Sequence, residues 1–187
     1  FREADKASPP PEDLILFTGS SSIRFWGSLK EDMSPQTVLN RGFGGAHIAH
    51  VNYHFNEVVK PYKPKAIVFF CGTNDLAALK SPEETFSDFE VFYSKVKKEL
   101  PGTKLIVIGV KPSIAREYLI QEEKTLNELI ANLATEEDLL TYVNVWDPML
   151  TSEGKADPTL FVEDGLHINA KGYEIWTKLV RPTIENL

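Results

Sequence analysis

The chain has 187 residues, 42% hydrophobic, 11% aromatic and 25% charged, the balance of a globular domain and not of a disordered or fibrous chain. Its formal net charge is −7 and no segment concentrates Lys and Arg with interleaved aromatics, so nucleic acid is not an expected partner. Cys71 is the single cysteine, which excludes an intrachain disulfide and a cysteine-based zinc site. The longest apolar runs, Leu14 to Phe17 and Ala66 to Cys71, fall far short of the roughly 20 residues that cross a bilayer.

A chain of this length buries roughly 70% of the surface its unfolded state exposes, enough for one core without a disulfide or structural metal. Residues 1–13 are polar and carry Pro9, Pro10 and Pro11 in succession. Proline fixes φ and donates no hydrogen bond, so this segment reads as an extended N-terminal arm and the folded domain as 14–187. A start at Phe1 in place of Met reads as processed and tilts the expectation towards export to the periplasm or outside over the cytoplasm. No feature specifies an oligomeric state.

From Leu14 onward, short apolar runs alternate with longer amphipathic stretches. Leu14 to Thr18, Val38 to Arg41, Ala66 to Cys71, Leu105 to Gly109 and Leu140 to Val145 have strand length and apolar or β-branched content. Between them, Ile48, Val51, Phe55 and Val58 mark a helical face, as do Phe86, Phe89, Tyr93, Val96 and Leu100. The second of these starts at Ser81-Pro82-Glu83-Glu84, an N-cap serine, a proline at the first helical position and a glutamate placed to complete a capping box. Leu119, Leu126, Leu129, Ile130 and Leu133 form a third stripe, and Tyr173, Trp176, Val180 and Ile184 a fourth. Strict alternation without a hairpin signal between strands predicts a five-stranded parallel sheet covered on both faces, a three-layer α/β/α sandwich of flavodoxin-like type.

In such a sheet ligands bind beyond the carboxyl ends of the strands. Three of these junctions combine glycine with small polar side chains: Thr18-Gly19-Ser20-Ser21-Ser22, Asn40-Arg41-Gly42-Phe43-Gly44-Gly45 and Gly72-Thr73-Asn74-Asp75. A serine at a strand-to-helix turn sits where free backbone amides stabilise developing negative charge, which suits a nucleophile; serine is also an ordinary helix N-cap. A nucleophilic serine needs a base and an orienting acid, and Asp164-Gly165-Leu166-His167 offers both in one turn before the last helix.

Together these segments resemble the SGNH hydrolases, or GDSL-type esterases and lipases, in family order from Leu14 to the end. The resemblance implies Ser21 as nucleophile, Asp164 and His167 as acid and base, and the Ser21 and Gly45 amides with the Asn74 side chain as the oxyanion hole. Trp26 is also usual in the first block. Two positions depart from the pattern: Ser20 replaces the family's aspartate, and Ser22 a common aliphatic residue. The implied activity is a serine esterase acting through an acyl-enzyme, with no cofactor and no metal. Little chain is left for a lid, which favours small-molecule or carbohydrate esters with short acyl groups such as acetyl; thioesters and lysophospholipids are the alternatives within the family.

Rival readings attach to other residues. The Thr18 to Ser22 loop could cradle the phosphate of flavin mononucleotide, making the chain a flavodoxin-like binding protein. Ser20 in place of aspartate could mark an inactive carbohydrate-binding relative. His47, His50 and His54 share a helical face that could hold zinc, although they flank the apolar stripe and read as boundary residues, with His47 beside the cleft. Cys71 reads as a small buried residue, Lys111-Pro112-Ser113 as a loop turn or a cleft contact, and Lys95, Lys97, Lys98 and Glu99 as a solvated helix face.

Overall fold

Five short strands, Ile15–Gly19 (β1), Val38–Gly42 (β2), Ala66–Phe70 (β3), Lys104–Ile108 (β4) and Leu140–Val143 (β5), form one sheet in the computed structural model, which describes residues 1–187. Every pairing is parallel and the order is β2-β1-β3-β4-β5. Nine α-helices join and cover the strands: Arg2–Ala7 (α1), Ser21–Arg24 (α2), Leu29–Asp32 (α3), Ile48–Tyr53 (α4), Phe55–Val58 (α5), Thr73–Ala77 (α6), Pro82–Glu99 (α7), Ile120–Glu136 (α8) and Ala170–Glu185 (α9). All five predicted strands form, with ends shifted by one or two residues. No helix is long and apolar enough to cross a membrane.

The inner strands β1, β3 and β4 read as largely apolar runs because both of their faces are buried, yet successive residues serve different layers. Leu16, Ile67, Phe69, Leu105 and Val107 pack with Ile48 and Val51 of α4, Phe89 and Phe92 of α7, and Leu126 and Ile130 of α8. Ile15, Phe17, Val68, Phe70 and Ile106 face the opposite way, onto Ile23, Trp26 and Met33 and onto Tyr173, Trp176 and Val180 of α9. The result is the three-layer α/β/α sandwich. The predicted capping box starts α7: the Glu84 amide donates to Ser81 Oγ at 3.1 Å and the Ser81 amide to Glu84 Oε2 at 2.9 Å.

Two elements differ from the sequence reading. The stripe through Ile48 and Val58 is two short helices that meet at His54, whose φ of −89° and ψ of 10° interrupt the ladder while the buried face continues. The N-terminal segment is not extended throughout, since Arg2–Ala7 is helical, with Glu3 and Asp5 in its first turn and Lys6 in its last, complementing the helix dipole. The prolines act only from Pro9, and Ser8, which precedes it, is already extended at φ −145° and ψ 92°. Asp5 anchors α1 to the sheet edge: it pairs with the Arg41 guanidinium and accepts a 2.7 Å hydrogen bond from the Tyr62 hydroxyl.

The chain leaves β1 for β2 on one side and later returns to β3 on the other. The sheet therefore opens a crevice between the carboxyl ends of β1 and β3, where Gly19 is paired with Phe70.

Candidate active site

Gly19 makes that crevice possible. Its φ is +126° and a Cβ there would stand 2.0 Å from the Phe70 carbonyl oxygen, so only glycine lets β1 end hard against β3 and turn at once into α2. The Ser20 amide closes the turn on the same oxygen at 2.9 Å, and the Ser20 carbonyl receives the amides of Ile23 and Arg24. Ser20 and Ser22 are buried, whereas Ser21 opens α2 and is partly exposed. Of the three serines, Ser21 is the one that meets a histidine: its Oγ lies 2.9 Å from His167 Nε2, across 146 residues of sequence. The Ser21 amide, at the helix start, donates to no protein acceptor.

The turn before α9 holds that histidine from several directions. Asp164 Oδ1 accepts the amides of Leu166 at 2.8 Å and His167 at 2.9 Å, and Oδ2 lies 2.5 Å from His167 Nδ1. Burial opposes ionisation of Asp164, but the His167 ring and the two amides outweigh it and hold the carboxyl down at about 2. An ionised carboxylate can only accept, so Nδ1 carries the ring proton and Nε2 turns its lone pair to the Ser21 hydroxyl. The Phe25 ring stands edge-on to the imidazole at 5.1 Å between centroids. Asn169 then caps α9, its Oδ1 accepting the amides of Lys171 and Gly172.

The second junction is pulled to the first by the backbone. The Phe43 amide donates to the Gly19 carbonyl at 3.0 Å. Asn40 Nδ2 donates to the Ile23 carbonyl at 2.6 Å, while its Oδ1 accepts the Gly42 amide. Gly45 follows at φ +67°, in the left-handed region, and its amide donates to no protein acceptor. From the third junction, Asn74 Nδ2 donates to the Ala46 carbonyl at 3.0 Å, and Asn74 Oδ1 accepts from Arg116 Nη2 at 2.9 Å. These two bonds fix which way the amide points and leave one Nδ2 hydrogen free. Ser21 thus meets His167 and Asp164, while Gly45 and Asn74 follow the carboxyl ends of β2 and β3, the strands on either side of β1, and the family model for GDSL-like lipases and acylhydrolases matches residues 16–175.

The chain belongs to the GDSL-like lipase/acylhydrolase family, and is an ester hydrolase. Among solved structures, this acylhydrolase is similar to a GDSL-like lipase from Bacteroides thetaiotaomicron at 23% identity and a TM-score of 0.81, with 99% of this chain and 95% of that chain covered. It also resembles a carbohydrate esterase family 3 protein from Talaromyces cellulolyticus (14% identity, TM-score 0.73, 92% and 97% covered). A family 3 carbohydrate esterase from Clostridium thermocellum is similar at 15% identity, a TM-score of 0.73, and 94% and 98% covered. No curated protein matches the chain.

Other residues of the acylhydrolase have structural explanations. Asp75 is buried and accepts the Ile48 amide on both oxygens at 3.2 Å, tying the start of α4 to α6; burial pushes its carboxyl up, against His47, that amide and Lys80. Cys71 Sγ donates to the Ala46 carbonyl at 3.3 Å, and burial pushes its thiol well up, away from reactivity. His47 and His50 lie with rings 4.8 Å apart while His54 turns to Glu57, and no group of three or more His, Cys, Asp or Glu is placed to hold a metal ion. The Thr18 hydroxyl donates inward to the Arg41 carbonyl and Ser20 and Ser22 are buried, so of the hydroxyls in the first loop that of Ser21 alone is partly open. A cavity of about 360 Å³ is lined by Ser113, Ile114 and Trp146 among others, but not by Ser21, Asn74 or His167. Sequence reasoning missed Arg116, which orients Asn74; Lys111 lies in a loop after β4, as read, and is buried there at 2% exposure.

Proposed function

We propose that this acylhydrolase cleaves short-chain carboxylic esters, acetyl esters of carbohydrates foremost, through an acyl-enzyme on Ser21. One observation carries the reading: the continuous line from Ser21 Oγ to His167 Nε2 at 2.9 Å and from His167 Nδ1 to Asp164 Oδ2 at 2.5 Å. Ser21 Oγ attacks the ester carbonyl carbon as His167 Nε2 takes its proton. The carbonyl oxygen becomes an oxyanion facing the Ser21 and Gly45 amides and the free Asn74 Nδ2 hydrogen. Collapse expels the alcohol, which takes the proton from His167, and leaves the acyl group on Ser21. Water then gives a proton to His167 and its oxygen to the acyl carbon, and the acid departs as Ser21 regains its proton. Asp164, ionised throughout, stabilises the imidazolium formed in each half.

The preference for short acyl groups is supported by the surroundings of Ser21. Gly44 and Gly45 are exposed and Phe25 is the large apolar side chain beside His167, a small apolar contact area for an acyl chain. The fold likeness to carbohydrate esterases supports sugar esters as the first class to try.

The experiment is hydrolysis of p-nitrophenyl acetate by the protein and by Ser21→Ala, followed by p-nitrophenyl esters of increasing acyl length and by acetylated sugars. Turnover lost in Ser21→Ala and falling with acyl length is expected. Turnover that survives the substitution overturns the nucleophile, and a rate that rises with chain length overturns the substrate class.

A further inference from the structure

Beyond the catalytic crevice, the carboxyl edge of the sheet holds the cavity of about 360 Å³, between the connections that follow β4 and β5. Small-molecule sites occupy about 300–1,000 Å³, so the size suits a ligand. One wall comes from the loop after β4, around Ile114 and Glu117. The opposite wall is a hairpin in which Leu150 and Ala156 form an antiparallel bridge and the Thr151 amide donates to the Lys155 carbonyl at 2.7 Å, so backbone bonds hold its shape.

The lining offers polar groups that the protein itself does not use. Of the three tryptophans, Trp26 donates its indole hydrogen to Asp32 Oδ2 at 2.7 Å and Trp176 to Met149 Sδ at 3.4 Å. Trp146 lines the cavity and is only 7% exposed, yet its indole N–H donates to no protein acceptor. A buried indole usually finds such a partner. The same cavity is lined by the exposed side chains of Glu117, Glu153, Lys124 and Lys155, none of them in an ion pair, with Lys124 Nζ 5.8 Å from the Trp146 ring centroid. Two carboxylates and two ammoniums balance, so an anion and a cation each meet a repelling pair, and an acyl chain would strip water from four charges. What matches is a neutral ring with an apolar face for Trp146 and hydroxyls that donate to the carboxylates and accept from the ammoniums and the indole. A pyranose has that chemistry.

The cavity also borders the turn that carries His167. Ile114, 45% exposed, lines it and packs on Gly165, where a Cβ would stand 3.2 Å from Ile114 Cβ; the Ala115 amide donates to the Gly165 carbonyl at 3.1 Å. Gly165 lies between Asp164 and His167 in sequence. We propose that the cavity is a saccharide subsite: it holds a neutral sugar unit of the substrate's alcohol portion, joined across Ile114 to the acylated unit at Ser21. The inference rests on the sugar-ester reading of the catalytic site and adds where the rest of the sugar chain is bound.

The test adds xylotetraose or cellotetraose, neutral oligosaccharides without ester groups, to nitrogen-15-labelled protein. The Trp146 indole signal, identified by its loss in Trp146→Phe, should move with at least one of them while the Trp176 signal stays in place. Glu117→Ala combined with Glu153→Ala alters two exposed positions and should weaken that binding by about tenfold; this affinity decides the matter even if Trp146→Phe fails to fold. In the double variant, kcat/KM for the acetylated form of the bound oligosaccharide should fall by about tenfold relative to kcat/KM for p-nitrophenyl acetate, which is too small to span the catalytic serine and the cavity. No response to either sugar, undiminished affinity in the double variant, or equal losses on the two esters overturns the subsite. An inactive unmodified protein, or turnover that survives Ser21→Ala, overturns the esterase reading instead, and the binding of the ester-free sugars then judges the cavity separately.

Discussion

Tyr173 donates its hydroxyl hydrogen to the Ser22 carbonyl at 2.7 Å, fastening α9 to the turn that carries Ser21. α2 has only four residues, so this carbonyl has no backbone partner, and Tyr173 supplies the missing donor. Tyr173→Phe leaves a buried acceptor unsatisfied and should destabilise the fold by about 1–3 kcal/mol, measured by urea unfolding. It should also lower kcat, because Ser21 and His167 reach each other from the two elements that this bond joins. An unchanged unfolding midpoint would show that the carbonyl finds another donor.

Asn74→Ala removes the proposed side-chain oxyanion donor without touching Ser21, His167 or Asp164. Turnover should fall by about 100- to 1,000-fold, with the circular dichroism spectrum and melting temperature close to those of the unmodified protein. Loss of less than a few-fold would place the third oxyanion donor elsewhere.

Asp164 titrates at about 2 in the folded protein, below the roughly 3.9 of an unperturbed aspartate. Because the folded value is the depressed one, its ionisation favours the folded state above the unfolded value, and that contribution is lost as pH falls from about 4 through about 2. Carbon-13 NMR of the carboxyl should give a midpoint near 2, rising towards the ordinary range in His167→Ala, where the ring hydrogen bond is gone. A midpoint that does not move would assign the depression to the Leu166 and His167 amides alone.

Two substitutions outside the proposed catalytic residues should separate stability from catalysis. Phe69 is buried and stacks on Phe92 at 4.3 Å between centroids, so Phe69→Ala should cost about 3–5 kcal/mol. Ser81→Ala removes one half of the capping box that starts α7 and should cost about 1 kcal/mol, with kcat unchanged. Denaturant unfolding and p-nitrophenyl acetate hydrolysis on the same samples check both.

The sheet was legible because its inner strands β1, β3 and β4 are largely apolar runs of the right length, and α7 because Ser81, Pro82 and Glu84 occupy the positions that start a helix. The serine, glycine, asparagine and histidine turns were legible because each follows a strand or precedes a helix. Arg116 was not, since nothing local distinguishes an arginine that reaches across 42 residues to an asparagine from one on the surface. Glu123 did leave a signal. The apolar stripe on α8 runs from Leu119 to Leu126 with a turn missing, and Glu123 stands where the missing apolar residue belongs. An ionisable residue at an apolar helical position marks a buried polar group. Within the 1–13 arm, Arg2–Ala7 departs from an extended course because these helix-forming residues precede the prolines, whose constraint begins only at Ser8.

The proposed nucleophile, Ser21, and its proposed base, His167, are 146 residues apart in sequence, so a half-formed molecule can own a perfectly shaped serine turn and still be chemically inert. Trp26 and Trp176 meet at 5.8 Å across the same junction, which makes their fluorescence a clock for the docking of the last helix. During refolding, hydrolysis should therefore return in step with that optical signal and not with the earlier gain of helical dichroism, making the first product molecule a report that the whole chain has closed.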